Sequence, residues 1–268
     1  AEELRRQGVT IEDYDNILGT ITGHHHECTV LVDTAGTNWA VYSALNNNPN
    51  ITVLPGVDPI QELKAIKNPT EIKNIKNAHV KDGIAMVRFQ IWLEEQMAAG
   101  ATVTEVDIET KLLELRAAQP GNLGASFDTI AAYGANAAMM HYHATPDQCA
   151  TLEARGLLLV DSGGQYLDGT TDITRTYAMG ELTENERNYY TYVLKSHIDL
   201  SKLQFMAGCT GGNLDVMARA AVWQHGIDYR CGTGHGVGFL GGVHEGPQSL
   251  RINNHVVFKP GMIVTNEP

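Results

Sequence analysis

The sequence is short of positive charge. Nineteen Lys and Arg stand against 31 Asp and Glu, a formal charge of −12, which opposes binding to nucleic acid or anionic lipid and suits a protein that holds cations. Cysteine is scarce too. Cys28, Cys149, Cys209 and Cys231 are scattered without any C-x-x-C pair, which argues against a zinc knuckle or a dense disulfide framework and fits reduced thiols in a cytosol. No run approaches ~18 apolar residues, and the opening AEELRRQGVT has no apolar signal core, so neither a membrane span nor a secretory leader is expected. A start without Met reads as a processed or excised piece. Internal repeats and low-complexity tracts are absent. H-E-x-x-H and G-x-S-x-G are also missing, which makes zincins and α/β-hydrolases poor readings.

What is present fits one to two domains with a real core, given 268 residues. Residues 28–45 and 51–55 carry β-branched and apolar runs and are expected to be strands of a small leading unit. The text changes at IKNPTE, where Asn68 is an N-cap, Pro69 takes the first helical position and Glu71 closes a capping box, opening a helix through about residue 98. The domain boundary is placed there, between 1–65 and 66–268. Beyond it, strands (127–135, 157–163, 171–178) alternate with helices (104–118, 184–205, 213–225), and Thr183 with Glu186 makes a second capping box. This predicts a mixed helix and sheet domain. The three histidines at 24–26 are expected in a surface loop.

LLLVDSGGQYLDGTTDITRT, residues 157–176, reads as a buried strand ending in Asp161, followed by turn chemistry that folds the chain back. A symmetric hairpin would set Asp161 opposite Asp172 with Cβ atoms about 5 Å apart. Like charges so placed and partly buried need a proton or a cation between them, and hard divalent metals prefer oxygen ligands. Downstream, GTGHGVGFLGGVHEGP (232–247) holds His235 and His244 among seven glycines. Its GVGFLG matches the dinucleotide fingerprint in form, but VHEGP follows where a helix should open, so nucleotide binding is a poor reading. The chain ends on GMIVTNEP, an apolar strand-like run that delivers Glu267. Asp161, Asp172, His235 and Glu267 together suit two hard or borderline divalent ions.

With these residues in view, the Asp161–Asp172 spacing, GTGHGVG, VHEGP and VTNEP resemble the pita-bread metallopeptidases, most of all the Xaa-Pro aminopeptidases. The resemblance implies an α+β fold: a pita-bread (creatinase/aminopeptidase) catalytic domain over 66–268, preceded by part of a creatinase-like α/β domain over 1–65. It implies metal ligation by Asp161, Asp172, His235 and Glu267, with Glu267 also moving protons, and it makes His141 and His244 substrate-facing. His143 has no counterpart. A hydroxide bridging two divalent ions, manganese first and zinc or cobalt next, would attack the carbonyl before a penultimate proline. The implied partners are proline-containing peptides and a second copy in a homodimer, without nucleic acid or membrane, in the cytoplasm. Cys231 stands where many relatives carry a histidine, and its plain reading is a small buried side chain. The family pattern also calls for a second bridging glutamate on a strand past Glu267. On that pattern this chain is expected to be cut at both ends and to bind at least one metal weakly. Prolidase, methionine aminopeptidase and an inert or peptide-binding module of the same fold are the alternatives.

Overall fold

A computed structural model describes residues 1–268, which divide into two compact units, Ala1–Glu62 and Leu63–Pro268. In the first, helices α1 (Glu2–Arg6) and α2 (Ile17–Thr22) precede strand β1 (Cys28–Val32), helix α3 (Trp39–Asn47) and strand β2 (Ile51–Pro55). The strands expected across 28–45 are therefore only half correct, because the chain turns helical at Trp39. The cause is local: Asn38 is extended and its side-chain oxygen accepts the Val41 N–H at 2.9 Å, capping a helix where alternation alone read strand. That helix has a topological use. β1 and β2 pair in parallel, Cys28 beside Ile51 and Val32 beside Pro55, and parallel neighbours require a crossover. The His24–His26 loop lies outside regular structure, with His25 and His26 exposed.

Helix α4 (Pro59–Ala65) leads to α5 (Pro69–Ala98), which starts as its sequence predicts. Asn68 accepts the Thr70 and Glu71 N–H groups, and the Glu71 carboxylate accepts the Asn68 N–H at 2.8 Å. Ile75, Ala78, Asp82, Ala85, Met86, Phe89 and Leu93 form its buried face. All but one are apolar at helical spacing, and the exception, Asp82, is paired with Arg116 of the next helix. Helix α6 (Glu105–Ala117) and strands β3 (Asn122–Ala125), β4 (Ile130–Tyr133) and β5 (Leu157–Ser162) follow. Phe89, Leu93, Ile108, Leu112, Leu158 and Val160 pack into the core, each buried to 3% exposure or less. Such side chains contribute about 2 kcal/mol apiece.

After β5 come β6 (Gly164–Tyr166), β7 (Gly169–Thr170) and β8 (Ile173–Ala178), making sheets ordered β4-β5-β8 and β3-β6-β7. Here the structure corrects the symmetric hairpin. Asp161 pairs with Thr174, not Asp172, because the reversal is the two-residue turn Leu167–Asp168, one position later than the symmetric reading placed it. Gly163 and Gly164 are not turn residues. A Cβ on Gly163 would lie 2.1 Å from the Thr171 carbonyl oxygen, so glycine there lets the two arms close. A two-residue offset keeps side chains on one face, so Asp161 and Asp172 become diagonal neighbours.

Helices α7 (Glu184–Lys202), opened by the Thr183–Glu186 capping box, and α8 (Gly211–Trp223) complete the helical layer. Strands β9 (Gly234–His235) and β10 (Ser249–Leu250) are antiparallel and only two residues each. The terminal run pairs along the other side of β9: Thr265 N–H donates to the His235 carbonyl at 2.9 Å and Glu267 N–H to the Thr233 carbonyl at 2.9 Å. The GMIVTNEP segment is thus extended backbone bonded to the glycine-rich stretch, without forming a long regular strand.

Candidate metal centre

Asp172 precedes β8, His235 lies in β9 and Glu267 on the terminal run, and ligand atoms from all three lie within 4.8 Å of one another. His235 Nε2 is 3.3 Å from Asp172 Oδ2 and 3.1 Å from Glu267 Oε1. Its Nδ1 is 2.9 Å from the Gly236 carbonyl oxygen, which can only accept. Nδ1 therefore carries a hydrogen, and Nε2 is the atom presented to the carboxylates. Burial opposes a charged imidazole, but the bonds to Asp172 and Glu267 outweigh it and push the His235 pKa up to about 10. For Glu267, burial favours the neutral acid, yet His235 holds the carboxyl below its ordinary value.

Asp161 stands beside this trio rather than within it. Burial first, then the charge of Asp172, pushes its pKa up to about 7, and Glu267 adds to the rise. Its Oδ1 is buried and has no hydrogen-bond partner. A buried, unpartnered carboxylate oxygen next to two further carboxylates and one imidazole is a donor set that fits a hard or borderline divalent cation. One imidazolium cannot neutralise three acids.

His244 and His141 occupy different settings. The His244 ring sits edge-on to His235 with centroids 4.0 Å apart. Burial and then the His235 charge lower its pKa, so His244 is neutral near pH 7. It is held by its neighbour Glu245, whose N–H donates to the Gly236 carbonyl at 2.9 Å and whose side chain accepts from Lys64 at 2.8 Å. Buried Lys67 lies 4.0 Å from the same carboxylate, and its pKa is lowered by burial. His141 is exposed, on the loop after β4. His143 is exposed too. Cys231 is exposed, contrary to the expectation of a buried thiol. Only its carbonyl is engaged, by Arg219 at 2.5 Å.

The loop bearing His141 hangs on a residue that sequence reasoning missed. Glu105, wholly buried at the start of α6, accepts from Tyr133 N at 2.7 Å, Asn136 Nδ2 at 3.0 Å, Tyr142 Oη at 2.7 Å and Ala150 N at 2.7 Å. Burial and this bond push the Tyr142 hydroxyl up to about 12. In the sequence Glu105 looks like an ordinary acidic residue in a first helical turn. The signal available was weak: Thr104 and Asp107 already complete the capping box, so Glu105 was free for another task.

Comparison with known proteins adds a lineage. Residues 73–268 match metallopeptidase family M24, and residues 1–71 match the creatinase/prolidase N-terminal domain. Aminopeptidase P2 of Arabidopsis thaliana is 48% identical over 296 aligned residues, covering 100% of this chain and 42% of the relative. A probable Xaa-Pro aminopeptidase P of Tuber melanosporum is 44% identical, covering 87% of this chain and 38% of the relative. The chain thus spans less than half the length of these curated relatives. Among solved structures, the X-prolyl aminopeptidase of Caenorhabditis elegans, described as a cytosolic enzyme with a di-nuclear active site, superposes with a TM-score of 0.89 at 33% identity, over 99% of this chain and 44% of that one. The Xaa-Pro dipeptidase of Bacillus anthracis superposes at 0.72 with 25% identity, over 99% and 66%.

Proposed function

The chain belongs to metallopeptidase family M24, and from that premise we propose that it carries the metal centre of an Xaa-Pro aminopeptidase, which releases the N-terminal residue from peptides with proline second. The observation that carries this reading is the Asp172–His235–Glu267 cluster with the unpartnered Asp161 oxygen beside it. The unit from about residue 66 is the catalytic domain, and 1–65 is a creatinase-like leading portion. Two divalent ions held by Asp161, Asp172, His235 and Glu267, manganese foremost with zinc or cobalt as substitutes, would supply Lewis acidity and a water made nucleophilic near neutral pH.

The protein side of the mechanism follows from the geometry. His235 is fixed by its Nδ1–H bond, so Nε2 serves as the ligand atom. Glu267 turns Oε1 toward His235 and has a second oxygen that can take the proton of the attacking water and return it to the departing proline nitrogen. Neutral His244 donates an N–H to the developing oxyanion, a contribution of about 3 kcal/mol for one such donor. His141, on the loop tethered by Glu105, orients the substrate backbone. We place the protein in the cytoplasm, by its likeness to the cytosolic C. elegans enzyme, and as a homodimer, which light scattering would check.

The test is direct. With Mn²⁺ added, this chain releases arginine from Arg-Pro-Pro and leaves Gly-Pro intact. Cleavage of Gly-Pro alone would support the dipeptidase reading, for which the B. anthracis structure is the reason to ask. Metal binding without cleavage of either would make the chain a binding module, and His244→Ala with turnover within about twofold of the parent would remove His244 from the mechanism.

A further inference from the structure

Two wholly buried threonines lie within two residues of proposed ligands, one beside Asp172 and one beside His235. Thr171 precedes Asp172, and Thr233 stands two residues before His235; both are 0% exposed. Each hydroxyl reaches a buried aspartate: Thr171 Oγ1 donates to Asp82 Oδ2 at 3.0 Å, and Thr233 Oγ1 to Asp215 Oδ1 at 2.8 Å. Each aspartate, itself 0% exposed, is then paired with an arginine. Arg116 Nε meets Asp82 Oδ1 at 2.6 Å and its Nη2 meets Oδ2 at 3.1 Å, while Arg219 Nε meets Asp215 Oδ2 at 2.8 Å. The pairs arise differently, since Asp82 and Arg116 come from α5 and α6 whereas Asp215 and Arg219 share α8.

Besides its aspartate, each threonine engages backbone that closes the site. The Gly164 N–H donates to Thr171 Oγ1 at 2.9 Å, and the Thr233 carbonyl accepts the N–H of Glu267 at 2.9 Å. Tyr166 Oη adds a third donor to Asp82 at 2.9 Å. Burying an ion pair gives a fold little that apolar side chains of the same volume would not. What it supplies is a directional anchor, because a carboxylate clamped by an arginine leaves a fixed lone pair for one hydroxyl.

We infer that Asp82–Arg116 and Asp215–Arg219 are matched positioning devices, one serving the segment of Asp172 and the other that of His235. Each fixes, through a single threonine hydroxyl, the backbone that carries a metal ligand. Thr171, Thr233 and the four charged residues are positioning residues, for they touch no ligand atom of the trio. This rests on the metal reading above, and the experiment separates the two. Mn²⁺ affinity is measured calorimetrically on the 268-residue chain. Hydrogen exchange across 164–174 and 231–236 is measured on the metal-free chain, for the parent and for Thr171→Val, Thr171→Ser, Thr233→Val and Thr233→Ser. Each valine variant should melt cooperatively, bind Mn²⁺ about 10- to 100-fold more weakly and exchange faster in its own segment, and each serine variant should restore both. Valine variants with parental affinity and parental exchange overturn the inference, as do serine variants that fail to rescue. If a valine variant does not melt cooperatively, Thr→Ala at that position takes its place. A parent that binds no Mn²⁺ overturns the metal reading instead, and exchange with serine rescue then decides the positioning role alone.

Discussion

On the aspartate side of the centre, β5 and β8 are six residues each and pair in an unbroken ladder, whereas on the histidine side β9 and β10 have two residues each. The ladder places Asp161 and Asp172 by register, so any residue type that keeps the pairing keeps the positions. Short strands offer no such control. There His235 is located by backbone bonds from both flanks and by glycine: a Cβ on Gly236 would lie 2.0 Å from the Glu245 carbonyl oxygen. One side is specified by hydrogen-bond register and the other by closeness of approach, yet both end in a threonine tied to a buried Asp–Arg pair. The likeness lies below the strands, in the helical layer.

The largest expected effect comes from breaking that shared feature. Arg116→Leu or Arg219→Leu leaves a 0% exposed carboxylate without its counter-charge, which costs about 3–5 kcal/mol, readable by urea denaturation. Adding Asp82→Asn to Arg116→Leu should recover most of that stability without recovering Mn²⁺ affinity.

Next comes the electrostatics of the metal-free chain, where the two sides respond to substitution with opposite sign. The Asp161 pKa rises on folding from 3.8 to about 7, so the folded form keeps its proton longer. Stability is then full below pH 3.8 and falls as pH climbs to about 7, by ~4 kcal/mol at most. Asp161→Asn should flatten that slope and stabilise the EDTA-treated chain above pH 7, while impairing it when Mn²⁺ is present. His235 has its pKa raised from 6.5 to about 10, so its contribution is complete below pH 6.5 and is lost as pH rises through about 10. His235→Gln should therefore destabilise the metal-free chain at pH 7 and have little effect above pH 10. Thermal melts across about pH 3 to 11 check both.

A smaller contrast tests register against close approach. Gly236→Ala forces backbone apart and should cost about 1–3 kcal/mol. Ser162→Ala, wholly buried beside Asp161 with only a long 3.9 Å contact to Met86 Sδ, should cost under about 1 kcal/mol. Smallest in its effect on the centre, Asn68→Ala removes an α5 cap whose bonds stay within residues 68–71, costs about 1 kcal/mol and should leave Mn²⁺ affinity unchanged.

How much of this could be read in the sequence depended on range. The α5 boundary was legible because Asn68, Pro69 and Glu71 decide it among themselves, and the Thr183 box for the same reason. The residues of the centre were legible as types, since acids at the ends of apolar runs and histidines among glycines stand out against the rest of the chain. Register was not: Asp161 facing Thr174 depends on which two residues occupy the turn, and DG at 168–169 permits more than one choice. The turn to helix at Trp39 was hidden because a single capping asparagine outweighed an apolar run that also suits a strand. Least legible were Asp82, Arg116, Asp215, Arg219 and Glu105. Each sits at a helical position where a charge usually faces water, and only the folded chain brings its partners within reach.

Asp172, His235 and Glu267 must act together as a cation site if the centre binds metal. The most direct test is a calorimetric Mn²⁺ titration of the parent chain beside its Asp172→Asn variant, at pH 7.5 after EDTA treatment. Saturable binding in the parent, weakened at least ~100-fold in the variant, is the predicted result. Equal affinity in the two, or no binding in either, would contradict it.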